Sequence, residues 1–189
     1  MKTTISNEQL TSAISAVRDR NPLIHNITNY VVMNNSANAL LAIGASPVMA
    51  HWKDEMEEMT SIAGALVINI GTLDDQWIEG MIIAGMAASR RGTPIVLDPV
   101  GAGATSQRTA TALKIINLCH PTIIRGNASE IMALVNAEIK SKGVDSIASS
   151  NDALDAAKIL AKNSDAVVVI SGETDYITNG NETHTVDGG

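Results

Sequence analysis

Residues 125–130, RGNASE, carry the residue types best suited to chemistry. Asn127 has the character of a helix N-cap, and Glu130 stands three residues after it, which is the spacing of a reciprocal capping box. The same arrangement can hold a hydrated Mg²⁺ and nucleotide phosphates, because it places a carboxylate in the first turn of a helix, near Arg125 at the end of an apolar run. The residues alone leave both interpretations open.

Short apolar runs in the chain predict buried parallel strands, because each run is branched and uninterrupted. They span residues 65–70, 94–97, 122–124 and 166–170. Helical segments are predicted at residues 74–90, 107–118, 128–137 and 153–162. This alternation predicts an α/β layered fold with a mostly parallel central sheet flanked by helices.

Local signals predict further elements. Ser6 and Gln9 form a capping box for a first helix with an apolar stripe that includes Leu10 and Ile14, and a second helix is predicted at residues 28–43, ending at Gly44. The Asn-Gly pair at residues 179–180 predicts a hairpin between residues 176–178 and 181–186. Residues 140–150 are polar and rich in serine, which predicts a surface loop.

Each apolar run ends in polar or glycine residues, at the strand ends where ligands of open α/β sheets bind. These residues are Asn69, Gly71, Thr72, Asp98, Arg125, Asn127, Ser171 and Glu173. Polar loops also begin at strand ends that bind nothing, so their position alone does not separate a binding rim from ordinary loops.

Composition restricts the class of protein. The 189 residues contain no Phe and only two Trp and two Tyr, which disfavours a base-stacking surface for nucleic acid. The formal net charge of −7 opposes binding to a phosphate backbone. The length predicts one domain, residues 1–189, and we expect neither a membrane span nor an export signal. A single cysteine fits the reducing cytoplasm.

Other patterns that carry chemistry are weak. The turn GAGATS at residues 101–106 has Ser in place of the third glycine of a dinucleotide fingerprint, so a Rossmann dehydrogenase is a weak alternative, and the chain has no Walker A lysine motif. The four histidines lack the spacing of a zinc site. Cys119 and His120 are adjacent on a helix and do not face each other, which favours a buried structural thiol over a nucleophile.

Several longer motifs together resemble the hydroxyethylthiazole kinases, which are ribokinase-like enzymes of thiamin salvage. The motifs are NPLIHNITNYV at residues 21–31, GASPVMA at 44–50, VLDPVGA at 96–102 and IRGNASEI at 124–131. They occur in order through nearly the whole chain. The resemblance implies transfer of the ATP γ-phosphate to the alcohol of 4-methyl-5-(2-hydroxyethyl)thiazole with Mg²⁺, in a homotrimer whose thiazole pockets lie between subunits.

The resemblance also implies residue roles. The residues that it places at the thiazole pocket are Asn26, Met49, Asn69, Gly71 and Thr72. It assigns Arg125 and Ser171 to ATP, and Asp98 and Glu130 to Mg²⁺ and phosphate. These roles suit phosphoryl transfer, which requires alignment and charge neutralisation by a metal and a nearby arginine.

The sequence departs from the family pattern at its end. Family members continue into a Gly-Thr-Gly-Cys-like turn that opens a helix and forms an anion hole, whereas the sequence given stops at Gly189 and Cys119 lies in the wrong context to replace that cysteine. Losing one preorganised donor can lower a rate about a hundredfold. We therefore expect the 189-residue chain alone to be catalytically impaired, and its catalytic residue is unassigned. The alternatives are a non-catalytic thiazole- or nucleotide-binding remnant and a ribokinase-like kinase for another small alcohol.

Overall fold

The computed structural model describes residues 6–141 and 153–187. Backbone contacts divide the chain into two compact units, residues 1–95 and 96–189. The single domain expected for residues 1–189 stays a prediction. Most of the predicted surface loop, residues 142–150, lies outside the described residues.

The first unit is built around three parallel strands. Its elements are α1 (Asn7–Arg20), β1 (Leu23–Ile27), α2 (Met33–Ile43), β2 (Ser46–Val48), a 3₁₀ turn (Lys53–Glu55), α3 (Met56–Ile62), β3 (Ala65–Asn69) and α4 (Asp75–Arg91). β1 lies between β2 and β3, with Ile24 opposite both Pro47 and Ala65. Because parallel strands cannot be joined by a tight turn, α2 and α3 form the crossovers between them.

The core of the first unit is aliphatic, as the absence of Phe requires. Leu66 and Ile68 of β3 and Met81 of α4 are fully buried. Helix α4 is capped at its start by Asp74, whose carboxylate accepts the backbone N–H of Trp77 at 2.8 Å, and at its end by Gly92 in the left-handed conformation. Its first turn, with the buried ring of Trp77, is therefore held firmly in place.

The second unit contains parallel strands followed by an antiparallel hairpin. Its elements are β4 (Ile95–Asp98, whose first residue belongs to the first unit), α5 (Ser106–Cys119), β5 (Ile123–Asn127), α6 (Ala128–Ser141), α7 (Ala153–Ser164), β6 (Val167–Ser171), β7 (Thr174–Thr178) and β8 (Thr183–Asp187). β5 pairs in parallel with β4 and with β6, and β7 pairs antiparallel with β6 and β8. Gly180 in the hairpin turn has φ +90°, which glycine adopts without strain.

The structure confirms the predicted α/β fold with mostly parallel strands. The predicted strands, the hairpin and the Ser6 capping box are all present. Residues 23–26, which the sequence predicts as a short extended segment, lie in β1, whereas β2 was not predicted because it has only three residues. Within residues 6–141 and 153–187, no helix has both the length and the apolar character to cross a membrane.

One boundary of the predicted helices is wrong, and the exposure of another helix was not predicted. Helix α2 begins at Met33 rather than near residue 28, because the side chain of Asn29 accepts the N–H groups of Val31 and Val32 and forms a turn first. The apolar stripe of α1 is not buried, since Leu10 and Ile14 are 56% and 38% exposed. Periodicity therefore predicts the existence of α1 but not its burial.

Candidate substrate and nucleotide sites

In the first unit, an asparagine pair joins the segments that follow β1 and β3. The side-chain oxygen Oδ1 of Asn69 accepts one hydrogen bond from Asn29 Nδ2 at 2.8 Å and a second from the backbone N–H of Gly71 at 2.9 Å. Both asparagines are buried. Two of the predicted substrate residues, Asn69 and Gly71, therefore lie in direct contact, and Thr72 follows them in a half-buried position.

Asn29 was not among the site residues predicted from the sequence. Asn26 was, and its buried side chain donates from Nδ2 to the carbonyl of Ile24 at 3.0 Å within its own strand. An asparagine just after a strand and before a helix is a common turn residue, and that signal was present at Asn29. Its link to Asn69 spans forty residues and leaves no local sequence pattern.

The loop after β2 carries Met49, which is half-buried. Two imidazoles contact successive carbonyls in this loop: His51 Nδ1 lies 3.3 Å from the oxygen of Met49, and His25 Nε2 lies 3.0 Å from the oxygen of Ala50. The ring of His51 also lies 5.0 Å from that of Trp77 on α4. The loop is thus attached to both β1 and α4.

The ring of Tyr30 approaches the same tryptophan from the segment after β1, with its centroid 5.0 Å from that of Trp77. Tyr30 is exposed, whereas Trp77 is buried. Tyr30, from the segment after β1, and His51, from the loop after β2, therefore both contact Trp77 in the first turn of α4. Aromatic side chains of this kind suit a small heteroaromatic ligand.

The protonation state of His25 gives a pH prediction. Burial lowers the pKa of His25 from its ordinary value of 6.5, although the Ala50 carbonyl and the Glu55 carboxylate act in the opposite direction. The unfolded chain then binds a proton more readily than the folded chain, so the stability from neutral His25 is present above pH 6.5 and decreases as the pH falls below that value.

Urea unfolding between pH 5 and pH 7.5 tests this prediction, with His25→Gln as the control. We expect the free energy of unfolding of wild-type protein to fall more steeply below pH 6.5 than that of His25→Gln. Parallel curves for the two proteins would contradict it.

In the second unit, Glu130 connects two backbone segments. Its Oε2 accepts the N–H of Asn127 at 2.8 Å, and Asn127 Oδ1 accepts the N–H of Glu130 at 3.0 Å, which confirms the predicted capping box. Its Oε1 accepts the N–H of Gly101 at 2.8 Å, in the loop after β4. Glu130 therefore fixes that loop against the start of α6.

The other predicted residues of this unit lie at strand ends. Asp98 is half-buried at the end of β4. Arg125 is exposed on β5, one position before Gly126, whose carbonyl accepts a long 3.4 Å hydrogen bond from Ser171 Oγ. Arg125 pairs with Val169 and Asn127 with Ser171, so Arg125 and Ser171 lie on the same face of the sheet.

The donor set of this unit fits Mg²⁺. Mg²⁺ is usually held by one or two carboxylates, with waters and phosphate oxygens completing its coordination. Each oxygen of Glu130 accepts one backbone N–H and keeps a second lone pair, and Asp98 supplies another carboxylate. Within the described part of the chain, no group of three or more His, Cys, Asp or Glu residues could hold a metal by itself.

Local structure explains two other segments that the sequence offers for chemistry, the glycine-rich turn at residues 101–106 and Cys119. The N–H of Gly101 is donated to Glu130, and that of Gly103 is donated to Thr109 Oγ1 at 2.9 Å, so these glycine amides serve internal bonds. Burial raises the pKa of the Cys119 thiol to about 11, so it is protonated at neutral pH. Both observations agree with the structural interpretations of these segments.

Comparison with solved structures defines the class of protein. An adenosine kinase from Schistosoma mansoni matches with a TM-score of 0.56 at 13% identity, covering 87% of this chain and 59% of that chain, which supports the ribokinase-like fold alone. A hydroxyethylthiazole kinase from Pyrococcus horikoshii matches with a TM-score of 0.85 at 45% identity, covering 95% of this chain and 66% of that one. Residues 14–189 match the Hydroxyethylthiazole kinase family, and the chain belongs to this family.

Curated relatives support the same family membership. A hydroxyethylthiazole kinase from Vibrio parahaemolyticus is 59% identical over 182 residues, which cover 96% of this chain and 69% of the relative. One from Nitratidesulfovibrio vulgaris is 56% identical over 176 residues, which cover 93% of this chain and 66% of the relative. The chain thus spans about two thirds of the length of these relatives.

Proposed function

We propose that this chain acts in thiamin salvage by transferring the γ-phosphoryl group of ATP to the alcohol of 4-methyl-5-(2-hydroxyethyl)thiazole. The observation that carries the proposal is the family match over residues 14–189. The curated hydroxyethylthiazole kinases at 56% and 59% identity support it. In the reaction, the alcohol oxygen forms a bond to the γ-phosphorus, the bond to the bridging oxygen of ADP breaks, and the alcohol proton is released.

We assign the thiazole subsite to the first unit. Its proposed residues are Asn26, Met49, Asn69, Gly71 and Thr72, and the geometry adds Asn29. The contact between Asn29 and Asn69 supports this assignment, because two buried amides held by each other and by backbone N–H groups form a rigid polar wall. The sulfur of Met49 supplies an adaptable apolar surface for a heteroaromatic ring.

We assign nucleotide contacts to the second unit, through Arg125 and Ser171. Arg125 is exposed on the sheet face that also carries Ser171, so both can reach a phosphate chain lying over that face. A guanidinium is suited to this role because it binds phosphate oxygens in pairs and keeps its charge.

We propose that Asp98 and Glu130 hold Mg²⁺ together with the phosphates of ATP. The free lone pairs of Glu130 support this role. The ion would neutralise phosphate charge and align the γ-phosphoryl group. The backbone bonds of Glu130 fix the direction of its carboxylate before the nucleotide binds.

We also propose a cytoplasmic homotrimer. Large apolar side chains exposed in the first unit, Leu41 and Ile62 at 59% and 65%, support contacts between copies. The single cysteine supports a reducing compartment, and the net charge of −7 supports partners other than nucleic acid.

Ligand binding and product formation test the proposal on one preparation of the chain. Calorimetry would measure the affinity for the thiazole alcohol and, for comparison, the affinity for adenosine, an alcohol bound by a kinase of similar fold. Mass spectrometry would detect the thiazole phosphate after incubation with Mg-ATP. Binding of the thiazole alcohol in preference to adenosine supports the substrate assignment. Binding without product would agree with the catalytic impairment expected of the 189-residue chain, whereas preference for adenosine would favour a kinase for another alcohol.

Arg125 gives a separate prediction. We expect Arg125→Ala to weaken ATP binding about tenfold or more, and Arg125→Lys to recover only part of the loss, because lysine keeps the charge but not the paired donors. Fluorescence titration with a labelled ATP analogue would measure both affinities. Equal ATP affinity in wild-type protein and Arg125→Ala would contradict the assignment, and Arg20→Ala, on exposed α1, is the control.

A further inference from the structure

We propose that His25 is a positioning residue for the thiazole subsite, because its ring fixes the carbonyl of Ala50 and with it the backbone that carries Met49. The proposal rests on the thiazole subsite proposed above and adds a residue that does not itself contact the substrate. The spacing of His25 in the sequence does not match a zinc site.

The ring of His25 is completely buried and bonded at both nitrogens. Nε2 lies 3.0 Å from the carbonyl oxygen of Ala50, and Nδ1 lies 3.2 Å from Oγ1 of Thr60, a fully buried residue of α3. In the sheet His25 stands opposite Val48, the last residue of β2. The side chain therefore reaches past the end of β2 to the second residue of the loop.

The two partners determine which nitrogen carries the proton. A carbonyl oxygen only accepts hydrogen bonds, so Nε2 must donate to Ala50. The neutral ring then accepts at Nδ1, and the hydroxyl of Thr60 donates to it. Burial keeps the ring neutral by lowering the pKa of His25, while the nearby Glu55 carboxylate opposes that effect. The Ala50 carbonyl thus selects the tautomer, and the Thr60 hydroxyl, which can donate or accept, satisfies the other nitrogen.

The loop depends on such side-chain bonds because it lies between elements. β2 ends at Val48 and the 3₁₀ turn begins at Lys53, so the intervening residues belong to no strand or helix. His51 contacts the carbonyl of Met49 at 3.3 Å, but His51 is exposed, so water competes for this hydrogen bond. The bond from buried His25 is shorter and shielded, so it is the stronger restraint.

Two amide substitutions of His25 distinguish the loss of the hydrogen bond to Ala50 from a general loss of stability. In His25→Gln the side-chain amide nitrogen reaches the place of Nε2 and can still donate to Ala50, whereas in His25→Asn the shorter amide reaches only the place of Nδ1. Both variants remove the ring and keep a side-chain amide, and Asn is one methylene group shorter than Gln. Calorimetry of each variant with the thiazole alcohol and with ATP provides the comparison.

We expect His25→Asn to weaken binding of the thiazole alcohol about tenfold or more, and His25→Gln to stay within about threefold of wild-type protein. ATP affinity should be unchanged in both variants. Equal losses in the two variants, or unchanged thiazole affinity in His25→Asn, would overturn the proposal.

Hydrogen exchange of the backbone amides in residues 49–53 provides a second readout that needs no ligand. We expect faster exchange in His25→Asn than in wild-type protein, with His25→Gln close to wild-type protein. Failure of wild-type protein to bind the thiazole alcohol would count against the proposed function, and exchange would then decide the role of His25. Wild-type exchange rates in His25→Asn would show that His25 does not hold the loop.

Discussion

Replacing Gly71 by alanine is expected to weaken binding of the thiazole alcohol by about a hundredfold, while ATP affinity changes less than about twofold. A Cβ atom at position 71 would lie 2.6 Å from Nδ2 of Asn29 and 2.9 Å from Oδ1 of Asn69. Those two atoms form the hydrogen bond between the buried amides. The added methyl group must therefore separate the two asparagines or displace the backbone that bonds to Asn69.

Calorimetry with each ligand would measure the effect, and Gly64→Ala is the matched control in the same unit. A Cβ at Gly64 meets its nearest atom, Cβ of Pro22, at 3.4 Å, which is ordinary van der Waals contact. We expect this control to bind the thiazole alcohol like wild-type protein. A Gly71→Ala variant that folds and keeps wild-type thiazole affinity would show that the Asn29–Asn69 pair is not part of the subsite.

Replacing Glu130 by alanine is expected to lower the free energy of unfolding by about 3 kcal/mol, because two backbone N–H groups lose a charged acceptor. One belongs to Gly101 in the loop after β4, and the other to Asn127 at the start of α6. Glu130→Gln should cost roughly half as much, because the amide oxygen can keep one of the two bonds. This effect does not depend on any ligand.

Urea unfolding in the absence of nucleotide would measure these changes, with the exposed Glu182→Ala in the same unit as the control. We expect the control to differ from wild-type protein by less than about 0.5 kcal/mol. Repeating the measurement with Mg-ATP separates the two roles of Glu130. Wild-type protein should gain stability from the ligand, and Glu130→Gln should gain less. An equal gain in both proteins would argue against the metal role.

The part of the site that could be predicted from sequence is local. The capping box of Asn127 and Glu130 lies within four consecutive residues, and its residue types indicate the bonds that the structure shows. The second bond of Glu130, to Gly101, could not be predicted, because it joins residues that are close only after β4 and β5 pair. Short apolar runs similarly predicted β3 and β5, because such runs are a local property of the sequence.

The first unit shows why other features were missed. Asn29 precedes α2 as an ordinary turn residue, and its contact with Asn69 depends on the pairing of β1 with β3. The carbonyl that His25 contacts belongs to a loop with no regular structure, so no spacing rule indicates it. Sequence patterns report local backbone preferences, whereas these bonds depend on how strands are aligned.

Residue-resolved NMR titration would show whether this chain binds the thiazole alcohol through its first unit and ATP through its second. We expect the thiazole alcohol to shift the amide resonances of Asn69, Gly71 and the side chain of Asn29, and ATP to shift those of Arg125 and Gly126. A thiazole alcohol that leaves the first three resonances unchanged, or that shifts only the nucleotide residues, would contradict it.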